Sequence, residues 1–377
     1  EADVAYVAGQ AYAIRALCYL NLATWFSRAP YNSLTGASRW NEPCVPVYTT
    51  GTSIDTGGQP RESLRTVYGR IDQDIDRAIE LLEKARETTL AENNKSHINL
   101  YVALGIKSRA CLAEGDWDGA FKAAKRVIDE GGYAVGTKSD LTSGMNSLDK
   151  QNVMWGAGIQ VADQAGGYAG FFTHMDNKEG AYAKSAPKLI SKQLYNRISA
   201  TDIRRDWWDP SDKESPYVSK KFSFANVASF LGDYIYMRVE EMYFTAAEAA
   251  LRLDDLKSAR ELMNTVMAER DPGYSANNRS GTLLGATTTT WTGSFLENIL
   301  THRRIELWGE YGRLFDVRRL GQGIDRRTDD GFSEECISMM NRRNVNITKA
   351  DTYDWVLTIP KAELDANPNI NEEDQNP

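Results

Sequence analysis

RVEEMYFTAAEAALRLDDLKSARELMNTVMAER, residues 238–270, is a pair of helical runs interrupted by a short acidic turn at Asp254-Asp255. A stretch upstream carries the same punctuation at Glu114-Gly115-Asp116-Trp117. Ala110, Leu112, Asp116, Trp117, Ala120 and Val127 align without a gap with Ala249, Leu251, Asp255, Leu256, Ala259 and Val266. Such agreement marks a repeated helix–turn–helix unit of tetratricopeptide type, in which small alanines let paired helices approach closely and Trp117 or Leu256 covers the turn from its apolar side.

One such unit cannot bury its own apolar face, so others must stack on it. Working outward, residues 4–28 read as a helix because Val7, Ala11, Ile14, Leu17, Cys18 and Leu22 recur at three- and four-residue steps before Pro30. Residues 67–87 carry a second stripe through Ile71, Ile75, Ala78, Ile79 and Leu82. With 98–130, 236–270 and 293–312, these predict a mainly α fold: a curved, right-handed, tetratricopeptide-like scaffold of helical hairpins in a single domain over 1–377. The scaffold would occupy 4–133 and 235–320, around a mostly irregular, loop-rich insert at 134–234. In that insert only Val153–Val161 reads as strand and Lys188–Asn196 as helix. So long an irregular stretch in a compact protein points to a functional surface, as do the loops at 31–60 and Ser275–Trp291.

Composition narrows the function classes. The chain has 377 residues, 42% of them apolar, which is ample for a buried core. Its 44 Lys+Arg against 52 Asp+Glu give a net charge of −8 with no polybasic block, so nucleic acid and anionic lipid surfaces are not expected partners. No apolar run approaches the roughly 20 residues of a spanning helix. Cys18, Cys44, Cys111 and Cys336 have no CxxC spacing and read as free thiols, Cys18 and Cys111 as small buried residues of helices; a Cys18–Cys111 or Cys44–Cys336 disulfide stays open. His97, His174 and His302 have no metal-binding spacing, and neither Asp254-Asp255 nor Glu372-Glu373-Asp374 forms a calcium loop. No cofactor and no essential metal is expected, with a structural calcium left open. GxSxG, the P-loop and GxGxxG before a helix are absent, so nucleophilic hydrolysis and nucleotide binding lack their local marks.

In HRRIELWGEYGRLFDVRRLG, residues 302–321, Arg303, Glu306 and Glu310 share one helix face, and Arg313, Asp316 and Arg319 continue the charge pattern. Two readings compete. Glu306 and Glu310 could form an acid/base pair for glycoside hydrolysis, or the charges could knit this segment to the repeat core.

Residues 238–270, 302–321 and VLTIPKAELDANPNINEEDQNP at 356–377 together resemble the C-terminal half of the SusD/RagB family. The resemblance implies a non-catalytic lipoprotein on the exterior face of the outer membrane that captures oligosaccharide, or in the RagB-like branch oligopeptide, for a SusC-like TonB-dependent transporter. It favours the structural reading of Glu306 and Glu310 and gives Asp202 and Arg204 structural roles as well. GQAYAIRALCYLNLATWFSRAP at 9–30 resembles a family helix that follows the lipoprotein cysteine, a linker and a first helix, which implies a signal, lipid anchor and first helix upstream of Glu1. At His302 the family more often has Glu, which leaves one expected ion pair open.

A sugar ring has an apolar C–H face and a hydroxyl rim, so its site wants aromatic platforms flanked by polar side chains. The chain has 9 Trp, 18 Tyr and 11 Phe. Arg39-Trp40-Asn41 offers platform and polar flank in consecutive residues, with packing of Trp40 beneath its own loop as the alternative. Tyr48, Trp207, Trp208, Tyr217 and Trp291 complete the candidate ligand-binding set, while Trp117, Trp155 and Trp308 are assigned to the core. The competing classes are an intracellular tetratricopeptide scaffold, which leaves the Ile359-Pro360, Asn367-Pro368 and Gln375-Asn376-Pro377 signature unexplained, and a helical glycosidase.

Overall fold

The computed structural model describes residues 1–49, 51–53, 55–88, 90, 94–161, 169–279, 293–324 and 352–377. Four helices come first: α1 (Ala2–Phe26), α2 (Leu64–Lys84), α3 (Leu100–Glu114) and α4 (Trp117–Glu130). Next come α5 (Lys138–Leu141), β1 (Val153–Ala157), α6 (Phe171–Met175), α7 (Ala181–Ser185), α8 (Lys192–Tyr195), β2 (Trp208–Asp209), β3 (Val218–Ser219) and β4 (Tyr234–Arg238). The chain then returns to helix with α9 (Val239–Arg252), α10 (Leu256–Ala268), α11 (Phe295–Glu306), α12 (Arg313–Arg319) and α13 (Lys361–Ala366). The fold is mainly helical, as expected.

Each helix packs on its sequence neighbour from α1 to α4, and α9 then packs on α4, α10 and α11. The repeat therefore closes over the residues between α4 and α9. The two hairpins share their turn chemistry: Asp116 and Asp255 both act as N-caps, accepting from the N–H of Gly119 and Ser258 at 3.0 Å. The residue before each cap is left-handed, Gly115 at φ 77° and Asp254 at φ 63°. At Gly115 the turn must also clear Tyr31, whose ring would lie 2.5 Å from an added Cβ.

Two sequence expectations fail here. Residues 236–270 begin as strand β4 before α9 starts. The run at 293–312 does not stay helical, because left-handed Gly309 (φ 76°) and Gly312 (φ 120°) turn the chain between α11 and α12. A third correction concerns the face of α1. Val7 is 60% exposed, Ile14 and Leu22 are also exposed, and Cys18 faces solvent as a free thiol; Cys44 and Cys111 are free and buried, and Cys336 lies outside the described residues. The buried face is instead Tyr6, Gly9, Ala13, Ala16, Leu20 and Ala23. Small residues win because α2 comes so close: a Cβ on Gly9 would meet Leu82 at 2.8 Å.

The charges of 302–321 are structural. Glu306 is completely buried and accepts from Arg204 Nη1 (3.1 Å), Arg238 Nη1 (3.0 Å) and Arg270 Nε and Nη2 (both 3.0 Å). Glu310 accepts from Arg238 Nε and Nη2 at 2.8 Å each and from Lys221 Nζ at 2.5 Å. Arg303 joins Asp316 at 2.9 Å, and Arg319 joins Glu248 at 2.7 Å, tying α11 and α12 to α9. Asp202 and Arg204 pair at 2.6 Å. His302, where the family more often has Glu, is buried. Burial, with Arg204 and Arg279 nearby, holds it well below the ordinary imidazole range, so its neutral Nδ1 accepts from Arg204 Nη2 at 2.8 Å.

At the other end of the repeat, burial and the facing Asp72 carboxylate push the Glu114 carboxyl up to about 9. A raised carboxyl contributes stability that is complete below its unfolded value of 4.5 and is lost as pH climbs toward about 9. Glu114→Gln fixes the neutral form. It is expected to raise the thermal midpoint at about pH 8 and to leave it nearly unchanged at about pH 4.5, a sign that scanning calorimetry at the two pH values checks.

Candidate ligand-binding site

β1 and β4 pair antiparallel where the chain leaves and rejoins the helical layer, with Trp155 opposite Met237 and Gly156 opposite Ile235. The approach needs glycine: a Cβ on Gly156 would sit 2.3 Å from the Tyr234 carbonyl oxygen. The pairing sets the Trp155 and Tyr236 rings edge to face, 5.0 Å apart at 68°. Tyr236 is 41% exposed, and Trp155, expected in the core, packs half-buried against it.

These two rings form part of the wall of a cavity of about 510 Å3, within the usual range for small-ligand pockets. Tyr234, Phe171, Phe222 and Tyr311 add aromatic surface, and Asn21, Arg109 and Glu310 supply polar groups. Arg109, on α3, is held from several sides. Its Nε and Nη2 donate to Glu241 at 2.8 and 2.6 Å, Nη2 also donates to the Tyr236 carbonyl at 3.0 Å, and its guanidinium lies 3.9 Å from the Tyr311 ring centre. Burial raises the Tyr311 phenol, so it remains a neutral hydroxyl. The site combines flat apolar faces with polar side chains already fixed in place.

Among the described residues, Glu306 and Glu310 are not set up as an acid/base pair. Glu306 lies behind the cavity; burial alone would raise its carboxyl, but Arg270, Arg238 and Arg204 hold it well below the usual carboxylate range. Glu310 reaches the wall, yet it too is kept low, against the effect of burial, by Arg238 and Lys221. A general acid for glycoside cleavage needs the opposite shift. Among the described residues no group of three His, Cys, Asp or Glu side chains is placed to hold a metal ion, and no helix is long and apolar enough to cross a membrane.

Among the described residues, the predicted site residues do not assemble. Trp207 and Trp208, 2% and 1% exposed, pack edge to face in an apolar cluster with Leu194 and Ile305, so neither has a free face for a sugar. Tyr217 serves the β2–β3 hairpin, its N–H donating to the Asp209 carbonyl at 2.7 Å and its ring packing on Tyr195. Trp40 is half-buried against the core, edge-on to buried Tyr68 at 5.7 Å, with Arg65 over its ring. Both of these partners belong to α2. Arg39 donates to the Ala29 carbonyl at 3.3 Å, and Asn41 is exposed. Trp291 lies outside the described residues.

Tyr48 lies elsewhere, in the wall of a second cavity of about 490 Å3 with Tyr19, Leu22, Phe26, Ile359 and Pro360. Part of that wall is made by the closing segment, which fastens the early loop to the scaffold. Asn367 Nδ2 donates to the Gln59 carbonyl at 2.9 Å, and Asn376 Nδ2 donates to the carbonyls of Phe26 and Leu357 at 2.9 and 2.8 Å. The Asn-Pro signature is thus a clamp. Sequence reasoning missed Trp155, Tyr236, Tyr311 and Arg109. A signal was present, since VMWGA and YIYMR are aromatic strands standing at the two roots of the irregular insert.

A family model described as the SusD family matches residues 175–377, more than half of the chain. Compared with curated protein sequences, the chain has no match. Among solved structures it is similar to a SusD-like carbohydrate binding protein from Bacteroides vulgatus, 26% identical with a TM-score of 0.78, covering 99% of this chain and 78% of that one. A SusD superfamily protein from Bacteroides thetaiotaomicron is 23% identical with a TM-score of 0.78, over 100% of this chain and 79% of that one. Surface glycan-binding protein A from Bacteroides uniformis shares the fold at 17% identity and a TM-score of 0.65, over 100% and 78% of the two chains.

Proposed function

The chain belongs to the SusD family, and on that premise we propose that it is an exterior-facing outer-membrane lipoprotein that captures oligosaccharide and delivers it unchanged to a SusC-like TonB-dependent transporter. The observation that carries the reading is the cavity lined by Trp155, Tyr236 and Tyr311, where aromatic rings lie beside the immobilised Arg109. Support for a sugar ligand comes from relatives named as carbohydrate-binding and surface glycan-binding proteins. Support for capture without chemistry comes from the arginine cage around Glu306 and Glu310. The transporter and the lipid anchor are carried by family membership alone. The binding needs no cofactor.

Because only a few stacked rings and polar clamps hold the solute, dissociation constants of about 1 μM to 1 mM are expected. Calorimetric titration against oligosaccharide and oligopeptide panels tests the reading, with chelator-treated protein binding as well as untreated. Binding confined to peptides would replace the oligosaccharide reading with oligopeptide capture. Turnover of any glycan would remove the non-catalytic assignment.

A further inference from the structure

We infer that the aromatic cavity selects neutral sugars and turns away uronate- or sulfate-bearing ones, an inference that rests on the oligosaccharide reading above. Among the described residues, the two ionic side chains in its wall are Arg109 and Glu310. Both are already neutralised from behind. Arg109 forms a two-point pair with Glu241, a buried carboxylate, and Glu310 receives Arg238 at two points and Lys221 at a third. An entering carboxylate or sulfate would lose hydration and meet no uncommitted cation, which is an unfavourable exchange in a mostly apolar pocket.

A hydroxyl meets no such obstacle. Arg109 Nη1 makes no hydrogen bond among the described residues, so a donor remains in the wall while the charge behind it is cancelled. Asn21 adds a neutral amide on the opposite helix, and Tyr236 and Trp155 offer the stacking surface. The combination of satisfied charge, spare neutral-type hydrogen bonding and exposed ring faces fits a pyranose with hydroxyl substituents only.

The test titrates the unmodified protein with neutral gluco-, manno- and xylo-oligosaccharides and with acidic oligogalacturonate and chondroitin oligosaccharides, at low and high salt. At least one neutral series is expected to bind with an affinity that salt leaves unchanged, and the acidic series at least about tenfold more weakly. An acidic oligosaccharide bound as tightly as the best neutral one overturns the inference and leaves the capture reading standing. If neither class binds, the capture reading falls and takes the inference with it. Glu241→Gln supplies a second arm, because it releases the Arg109 charge into the cavity. After its melting curve shows that it folds, it should bind the acidic series about tenfold more tightly than the unmodified protein, and an unchanged preference counts against the inference.

Discussion

Glu306→Ala is expected to destabilise the protein by about 3–5 kcal/mol, enough to abolish the folded state or to lower its thermal midpoint sharply. The size follows from what is left behind. Arg204, Arg238 and Arg270 are each essentially inaccessible to water, and all three donate to this one carboxylate. Removing it leaves three buried guanidiniums facing one another with Asp202, Glu240 and Glu310 as their remaining carboxylate partners. Glu306→Gln keeps the volume and one acceptor oxygen, and it should recover only part of the loss because the repulsion persists. Chemical denaturation followed by circular dichroism checks both. The exposed Lys125–Asp129 pair at 2.5 Å serves as the contrast: Lys125→Ala should be close to neutral, since water already solvates both groups. If Glu306→Ala melted like the parent, the cage would not be what joins α9, α10 and α11.

The helical layer was legible because its signals are local. Asp116 and Asp255 announce their turns, Ala120 and Ala259 announce close contacts, and the charge spacing of 302–321 announces an ionic seam. What failed in the scaffold failed for a physical reason. On α1 Val7, Ile14 and Leu22 point to solvent while Gly9, Ala13 and Ala16 join Tyr6 and Leu20 on the buried face, so the stripe drawn through Val7, Ile14 and Leu22 chose the wrong face. The site was less legible because it depends on a distant strand pair. Trp155 and Tyr236 are 81 positions apart, and only the β1–β4 register brings them together. Trp207-Trp208 looked like a platform because it lies in irregular chain. Irregular backbone can still build its own core, and Leu194, Ile198 and Ile305 close over both indoles. The aromatic residues of the insert carry no period, so nothing in them distinguished a lining ring from a packed one.

Tyr236→Ala is expected to weaken oligosaccharide binding by about twentyfold to thirtyfold, ~2 kcal/mol, with little change in melting temperature. The asymmetry comes from how the residue is used. Its backbone carries a β4 position and the carbonyl that receives Arg109, neither of which depends on the side chain, while the ring is 41% exposed and touches chiefly Trp155. Tyr236→Phe keeps the stacking face and should retain most of the affinity. Trp40→Ala should do the reverse. That indole packs against buried Tyr68 and under Arg65, so its removal lowers stability while leaving the affinity of the distant cavity unchanged. Calorimetric titration and thermal melting of the two variants separate the cases. Should Trp40→Ala lose affinity at an unchanged melting point while Tyr236→Ala binds normally, the capture surface would lie on the early loop, and the β1–β4 cavity would be a fold feature with no ligand of its own.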